Sequence, residues 1–276
     1  MVAWVYLVHN AAFQTRNIFM PLLILVGLFF LTAVAYSSVG FGGGSTYNAL
    51  LILTGMDYRL VPAIALSCNI LVVSGGVYHY MKAGHVSVSG LLPYIVLSVP
   101  MAWLGGRLPV SEQLFIGLLG FSLLLAAVQM LLKPRTAQYT HLPGTLRLWL
   151  TAMPIGAVIG FLAGITGIGG GIFLAPVIYL LHMTSPRAVA GITSGFILVN
   201  SIAGLTGQLM KAGEFSPLNG VIEAWPLFVA VFVGGQIGSH LGVYKLSETW
   251  VKRLTAMLIL YVAARLIWRW ARMTFI

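Results

Sequence analysis

Charged side chains are scarce in this sequence, and their scarcity indicates which solvent surrounds the protein. Only 7% of the 276 residues are charged, whereas soluble domains carry roughly 25%. So few charges cannot cover a water-facing surface. Hydrophobic residues make up 59% of the chain, and runs such as "IFMPLLILVGLFFLTAVAY" (residues 18–36) have about the 20 residues that cross a bilayer. We expect an all-α, polytopic, integral membrane protein in contact with membrane lipids.

Acidic residues are rarer still, and this excludes one class of transporter. The sequence has 5 of them, and we expect each to lie in a loop or at the end of a helix. Cation and proton pathways usually need a carboxylate within the membrane, so a negatively charged substrate is favoured. The net charge of +10 comes from dispersed Lys and Arg. These fit lipid headgroups at helix ends, and we expect no nucleic-acid partner.

Cysteine is almost absent, and the histidines are dispersed. The one cysteine, Cys68, excludes an internal disulfide and any CxxC pair. No histidine has a second ligand at metal-binding spacing, and no nucleophile has a base beside it. We therefore expect no metal, no cofactor and no enzymatic activity. We also expect no cleavable signal, because the first long apolar run lacks a cleavage site.

Glycine, in contrast, is abundant and forms the same pattern twice. "GFGGG" begins at Gly40 and "GIGGG" at Gly167, each followed directly by an apolar run. Three further pairs of matching stretches follow in the same order: "MKAGHVS" with "MKAGEFS", "GGR" with "GGQ", and "SEQ" with "SET". This order predicts two homologous transmembrane repeats, residues 17–132 and 148–272, joined by a charged linker at 133–147.

Each repeat divides into five apolar segments, the second of which is short and starts at the glycine motif. A short apolar helix after a break in the backbone is typical of a discontinuous membrane helix. The segments lie near residues 18–39, 44–56, 60–80, 89–106 and 112–132, and near 148–165, 170–183, 187–208, 221–242 and 250–270.

The number of membrane crossings stays open between eight and ten. If all five segments cross, the second repeat is inverted relative to the first; if the short segment is re-entrant, the repeats are parallel. The distribution of Lys and Arg does not decide between these arrangements. We expect inverted repeats, which are a common plan for transporters with broken helices.

The glycine motifs do not fit a nucleotide site, because neither has the Lys of a Walker A loop nor a preceding strand. Two interpretations remain. Glycines allow helices to pack closely in lipid, and a break before a helix also leaves N–H groups at the positive end of the helix dipole free to bind an anion. We expect the two motifs to converge on one anion site.

The predicted substrate-binding residues combine the glycines with small neutral polar side chains within the segments. The alternative for each polar side chain is a hydrogen bond between helices. Arg107 and its equivalent Gln236 are predicted to attract anions at the mouth of the pathway, and a lipid-phosphate contact is the alternative for Arg107. The predicted site residues are Gly42, Gly43, Gly44, Ser45, Asn48, Ser67, Asn69, Gly169, Gly170, Gly171, Thr193, Ser194 and Asn200.

The doubled glycine motif and the stretch "RAVAGITSGFILVNS" from Arg187 resemble the TauE/SafE family of sulfite exporters. The resemblance covers residues 18–270. It implies a bacterial inner-membrane transporter of sulfite, organosulfonates or related small anions, with the motif glycines, Thr193 and Ser194 carried over as site residues. The first repeat departs from this pattern, since it has "ALSCNI" where the second has "GITSGF".

We therefore predict a secondary transporter for a small anion. The alternative is a passive anion channel with the same lining. The identity of the anion, the direction of transport and the formation of a homo-oligomer stay open at this stage.

Overall fold

The protein is helical throughout the part of the chain that the structure describes, as predicted. The structure is a computed structural model that describes residues 22–84, 88–131, 145–180, 186–211, 218–244 and 248–275, and no strand occurs in these ranges. The helices are α1 (Leu22–Ser37), α2 (Gly44–Leu53), α3 (Val61–Lys82), α4 (Val88–Arg107), α5 (Glu112–Leu131), α6 (Thr145–Thr166), α7 (Gly171–Leu180), α8 (Pro186–Leu209), α9 (Leu218–Glu223), α10 (Trp225–Tyr244) and α11 (Glu248–Phe275).

The surface of the helical bundle is apolar, which confirms an integral membrane protein. Large hydrophobic side chains such as Leu23, Leu31, Val158 and Phe232 are exposed, and only lipid solvates such a surface at low cost. By length and composition, four helices can cross a membrane. These spans are Val61–Lys82, Val88–Arg107, Leu148–Thr166 and Arg187–Leu209, and the described residues also include shorter apolar helices at Leu22–Ser37, Glu112–Val128 and Trp225–Leu241.

Polar residues lie inside the bundle, the reverse of a soluble protein. Asn48, Asn69, Asn200 and Gln208 are all buried, together with several Ser and Thr. The helices that surround them, α3, α4, α6 and α8, pack against one another at the centre, with α5 against α11 and α10 against α3. Polar groups buried inside a membrane protein need hydrogen-bond partners, so the positions of these residues show where polar contacts form within the bundle.

The central contact between α4 and α6 depends on glycines in α6 that face backbone carbonyls of α4. A Cβ added at Gly160 would overlap the carbonyl oxygen of Ser98, and one at Gly156 or Gly164 would overlap the carbonyl of Tyr94 or Ala102. Packing between membrane helices relies on such close approach, because apolar side chains gain little by leaving lipid.

We expect Gly160→Ala to destabilise the protein by about 1–3 kcal/mol, since the added methyl group forces α4 and α6 apart. The matched control is Gly27→Ala in α1, where nothing lies within 4 Å of an added Cβ. That control should be neutral or stabilising by up to about 1 kcal/mol, through helix propensity. Thermal unfolding in detergent measures both. Equal midpoints for the two variants would contradict the close contact.

The boundaries of several predicted segments differ from those of the helices. The segment predicted at 221–242 is two helices, α9 and α10, with a turn at Ala224. Pro226 favours a new helix start there, because the first turn of a helix accommodates a proline best. Helix α2 ends at Leu53, three residues before the predicted end. The predicted linker lies outside the described residues except for positions 145–147, which begin α6.

Candidate functional site

The two glycine motifs form two breaks in the backbone, here named the first glycine loop (residues 40–43) and the second glycine loop (residues 167–170). The first precedes the ten-residue helix α2, and the second precedes the ten-residue helix α7. Their backbone turns through left-handed conformations that side chains other than glycine rarely adopt. The positive φ angles are 80° at Gly40 and 88° at Gly43, and 78°, 83° and 81° at Gly167, Gly169 and Gly170.

Each short helix begins with backbone N–H groups that point out of the helix without an internal partner. In α2 the first bonded groups are those of Thr46 and Tyr47, which donate to the carbonyl of Gly43 at 2.9 and 3.0 Å. In α7, Phe173 and Leu174 both donate to the carbonyl of Gly170 at 3.1 Å. Among the described residues, no acceptor exists for the preceding N–H groups, those of Gly44, Ser45, Gly171 and Ile172. These groups form the positive ends of both helix dipoles.

The two loops meet at the side chain of Asn69, which extends from α3. A Cβ added at Gly44 would lie 2.6 Å from the Nδ2 of Asn69, and one at Gly169 would lie 2.7 Å from the same atom. An added Cβ at Gly42 would overlap the Oδ1 of Asn69, and the one at Gly44 would also lie 2.7 Å from the carbonyl oxygen of Ile168. The start of α2 and the second glycine loop are therefore in direct contact.

Side chains from other helices fix both loops through their carbonyl oxygens. Asn48 Nδ2 donates to the carbonyl of Thr166 at 2.7 Å, and Asn69 Nδ2 donates to that of Gly167 at 3.4 Å. The carbonyl of Gly40 accepts in turn from Ser194 Oγ, at 2.9 Å. Thr193 Oγ1 lies 3.4 Å from the same carbonyl and 2.8 Å from that of Val189 in its own helix. Ser194, Asn48 and Asn69 thus position the loops.

Four buried side-chain oxygens in the described residues have no hydrogen-bond partner, and all belong to residues beside the glycine loops or in α2. They are Tyr47 OH, Asn48 Oδ1, Asn69 Oδ1 and Ser201 Oγ. An added Cβ would lie 2.9 Å from Tyr47 OH at Gly43 and 3.3 Å from Ser201 Oγ at Gly169. Tyr47 and Ser201 are absent from the predicted site, although both are polar residues in otherwise apolar segments.

Some predicted residues lie elsewhere in the bundle. Asn200 accepts from Ser98 Oγ at 2.6 Å and donates to the carbonyl of Phe196 at 2.8 Å, so it joins α8 to α4. Ser67 donates to the carbonyl of Ala63 in its own helix at 2.9 Å. The amide of Gln236 lies against Gly75 of α3. Arg107 is exposed at the end of α4, with its guanidinium 5.1 Å from the ring centroid of Trp103.

Comparison with known proteins assigns the chain to a family. The sequence profile described as "Sulfite exporter TauE/SafE" matches residues 23–266. The chain belongs to this family. This match confirms the resemblance that the glycine motifs indicate. The TauE/SafE protein is a membrane transporter.

Its relatives carry names of the same kind and match over nearly their whole lengths. The chain is 34% identical over 242 residues to the "Probable membrane transporter protein y4hK" of Sinorhizobium fredii, covering 87% of this chain and 96% of the relative. It is 28% identical over 236 residues to the "Probable membrane transporter protein YjnA" of Bacillus subtilis, covering 79% and 89%. A "Probable membrane transporter protein" of Xylella fastidiosa is 27% identical over 266 residues, covering 91% and 97%. No solved structure matches.

The interior of this TauE/SafE protein carries no charged side chain among the residues whose burial is described. The acids in that part of the chain are outside the spans, as predicted. Asp57 lies in the loop after α2, where its hydrogen bond with Arg59 lowers the pKa of its carboxyl. Glu112 starts α5 and pairs with Arg269 of α11 at 2.5 Å. Within the described interior, the unpaired N–H groups at the starts of α2 and α7 are a source of positive potential.

Proposed function

We propose that this TauE/SafE protein is a secondary transporter that holds a small anion between the starts of α2 and α7. The substrate class is sulfite, an organosulfonate or a related sulfur-containing or organic acid anion. The observation that carries the proposal is the contact of the start of α2 with the loop that precedes α7, in an interior where no charged side chain is buried among the residues whose burial is described; both helix starts have unpaired N–H groups. In such a low-dielectric interior the helix dipoles are poorly screened and favour an anion.

The site residues then divide into two groups. The backbone N–H groups of Gly44, Ser45, Gly171 and Ile172 bind the anion, and the loop glycines keep the backbone accessible to it. Asn48 and Asn69 donate hydrogen bonds to the carbonyls of Thr166 and Gly167, and Thr193 and Ser194 donate to that of Gly40, so these carbonyl oxygens are already paired. An unpaired carbonyl oxygen beside the anion would repel it, so this pairing favours binding.

We further propose that residues 17–132 and 148–272 are two inverted repeats, linked by residues 133–147. The contacts of the loops support a pairing of two related repeats, and inversion is the common plan for transporters with broken helices. Asn69 in the first repeat holds the second loop, and Ser194 in the second repeat holds the first loop. If one repeat rocks against the other, both loops and the anion between them change the side to which they open, as alternating access requires. We propose that the membrane in which the protein lies is a bacterial inner membrane.

Proteoliposome transport tests the function and separates it from a passive anion channel. We expect saturable uptake of labelled sulfite, and accelerated exchange when unlabelled sulfite is present on the other side. Ohmic single-channel currents would favour the channel. A panel of sulfite, sulfonates and carboxylates in the same assay identifies the substrate class, and lack of transport for every anion would refute the proposal.

Arg107 tests whether charge at the mouth of the pathway attracts the substrate. We expect Arg107→Gln to raise the apparent KM severalfold at about 10 mM salt and to leave it nearly unchanged at about 1 M, since the Debye length falls from about 30 to 3 Å. Arg272→Gln is the matched control, because Arg272 also lies over a tryptophan, 5.7 Å from Trp268, but on α11. An unchanged KM at low salt would assign Arg107 to lipid contact.

A further inference from the structure

The four unpartnered oxygens beside the glycine loops indicate which chemical groups the substrate has. Tyr47, Asn48, Asn69 and Ser201 are each fully buried in the structure. No other buried side-chain nitrogen or oxygen in the described part of the chain lacks a partner. Because buried polar atoms are almost always hydrogen-bonded, a cluster of exceptions at one place indicates a ligand.

The unpaired atom of each asparagine amide is its oxygen, which accepts hydrogen bonds. The carbonyl groups beside the amide nitrogens determine this orientation of the amides. The Nδ2 atom of Asn48 is bonded to the carbonyl of Thr166, and that of Asn69 faces the carbonyl of Gly167. Rotating either amide by half a turn would place its oxygen against a carbonyl oxygen, which is repulsive. Each side chain therefore presents Oδ1 as its unpaired atom, and Asn69 Oδ1 lies against Gly42 in the first glycine loop.

An oxyanion with no proton can satisfy only half of this site. Its oxygens accept from the N–H groups of α2 and α7, but they have nothing to offer Asn48 Oδ1 and Asn69 Oδ1, which would also repel them. A ligand that joins an anionic group to an O–H or N–H donor matches both sets of partners. The hydroxyls of Tyr47 and Ser201 can donate or accept, so they suit either end of such a ligand.

We propose that the substrate is a monoanion that also carries a hydrogen-bond donor: hydrogensulfite or a hydroxyalkanesulfonate. The inference rests on the proposed anion site and narrows its substrate class. Its oxyanion end bonds the helix starts, and its donor bonds at least one of the two asparagine oxygens. Fully deprotonated sulfite and alkanesulfonates without a donor are poor ligands.

Matched ligand pairs test this in the intact protein in detergent. We expect 2-hydroxyethanesulfonate to bind about tenfold or more tightly than ethanesulfonate, which has the same charge and nearly the same size but leaves the buried acceptors unpaired. Titration calorimetry or thermal-shift titration measures the ratio. Equal affinities for the two ligands would overturn the donor requirement while leaving the anion site intact. Lack of binding for every anion would refute the proposed function and this inference with it.

The pH dependence of sulfite binding gives a second, independent readout. The polar side chains beside the site are those of Tyr, Asn, Ser and Thr, with the Cys68 thiol near Tyr47, and none is a carboxylate, an amine or an imidazole. The group expected to change charge between pH 6 and 8.5 is therefore the ligand. Hydrogensulfite loses its donor as pH rises, and we expect the apparent affinity for total sulfite to fall tenfold per pH unit on the alkaline side of its pKa. 2-Hydroxyethanesulfonate, whose charge and donor are both constant over this range, serves as the control. Sulfite affinity that stays constant or rises with pH would overturn the inference.

Discussion

Gly43→Ala and Gly170→Ala should each abolish transport and weaken anion binding, while the protein still folds and inserts. Gly43 has a φ of 88° and Gly170 a φ of 81°, so a side chain strains the backbone at both. The added Cβ would also lie 2.9 Å from the ring of Tyr47 in the first case and 2.8 Å from Ile159 in the second. Each change displaces the N–H groups that follow it, and binding through backbone groups has no side chain to compensate.

Gly55→Ala is the control that separates strain from function. Gly55 also has a positive φ, 79°, but nothing lies within 4 Å of an added Cβ, and it follows α2 rather than preceding it. We expect this variant to lose about 1–2 kcal/mol of stability and to keep its transport rate. If Gly43→Ala behaves like Gly55→Ala, with lower stability and full anion affinity, the glycines serve close packing and the anion site is refuted.

Asn69→Asp should reduce anion affinity by about three orders of magnitude at neutral pH. The substitution is nearly isosteric, but an ionised carboxylate replaces the amide between the two glycine loops. Two like charges about 4 Å apart repel by about 4 kcal/mol at an effective dielectric constant of about 20, which corresponds to that loss. Only the protonated form of Asp tolerates a neighbouring anion, so the affinity of the variant should recover as pH falls. 2-Hydroxyethanesulfonate, which carries a donor and whose charge does not change with pH, is the appropriate ligand.

Asn200→Asp provides the same chemical change in the same bundle, away from the loops. Asn200 contacts Ser98 and the carbonyl of Phe196 between α4 and α8. We expect lower thermal stability, an anion affinity within about threefold of the unmodified protein, and no recovery at low pH. Equal losses of affinity in the two variants would show that buried charge harms the bundle in general, and the assignment of Asn69 to the site would be lost.

The starts of α2 and α7 were predictable to within one residue, because a run of glycines favours a break in the helix through its own backbone conformation. The segments predicted from 44 and from 170 correspond to α2 at Gly44 and α7 at Gly171. Consecutive glycines adopt the positive φ angles that end one helix and begin another, and no long-range contact is needed to infer this. The scarcity of acids likewise predicted an interior without carboxylates, and none is buried among the residues whose burial is described.

The rotation of each long helix was not predictable from the sequence. In a soluble protein the apolar stripe shows which face of a helix is buried. Here lipid and interior are both apolar, so that periodicity disappears and the sequence does not distinguish Asn200 from Ser201. The structure turns Asn200 toward Ser98 and places Ser201 beside Gly169. The role of Tyr47 depends in the same way on how α2 lies against its neighbours.

The position of a bound anion tests the central claim most directly. Selenite resembles sulfite, and its selenium scatters anomalously, so a crystal structure with selenite locates the ligand without ambiguity. We expect the anomalous peak between the starts of α2 and α7, with oxygens about 3 Å from the N–H groups of Gly44 and Gly171. A peak beside Arg107 or another surface arginine, with none between the glycine loops, would contradict the account.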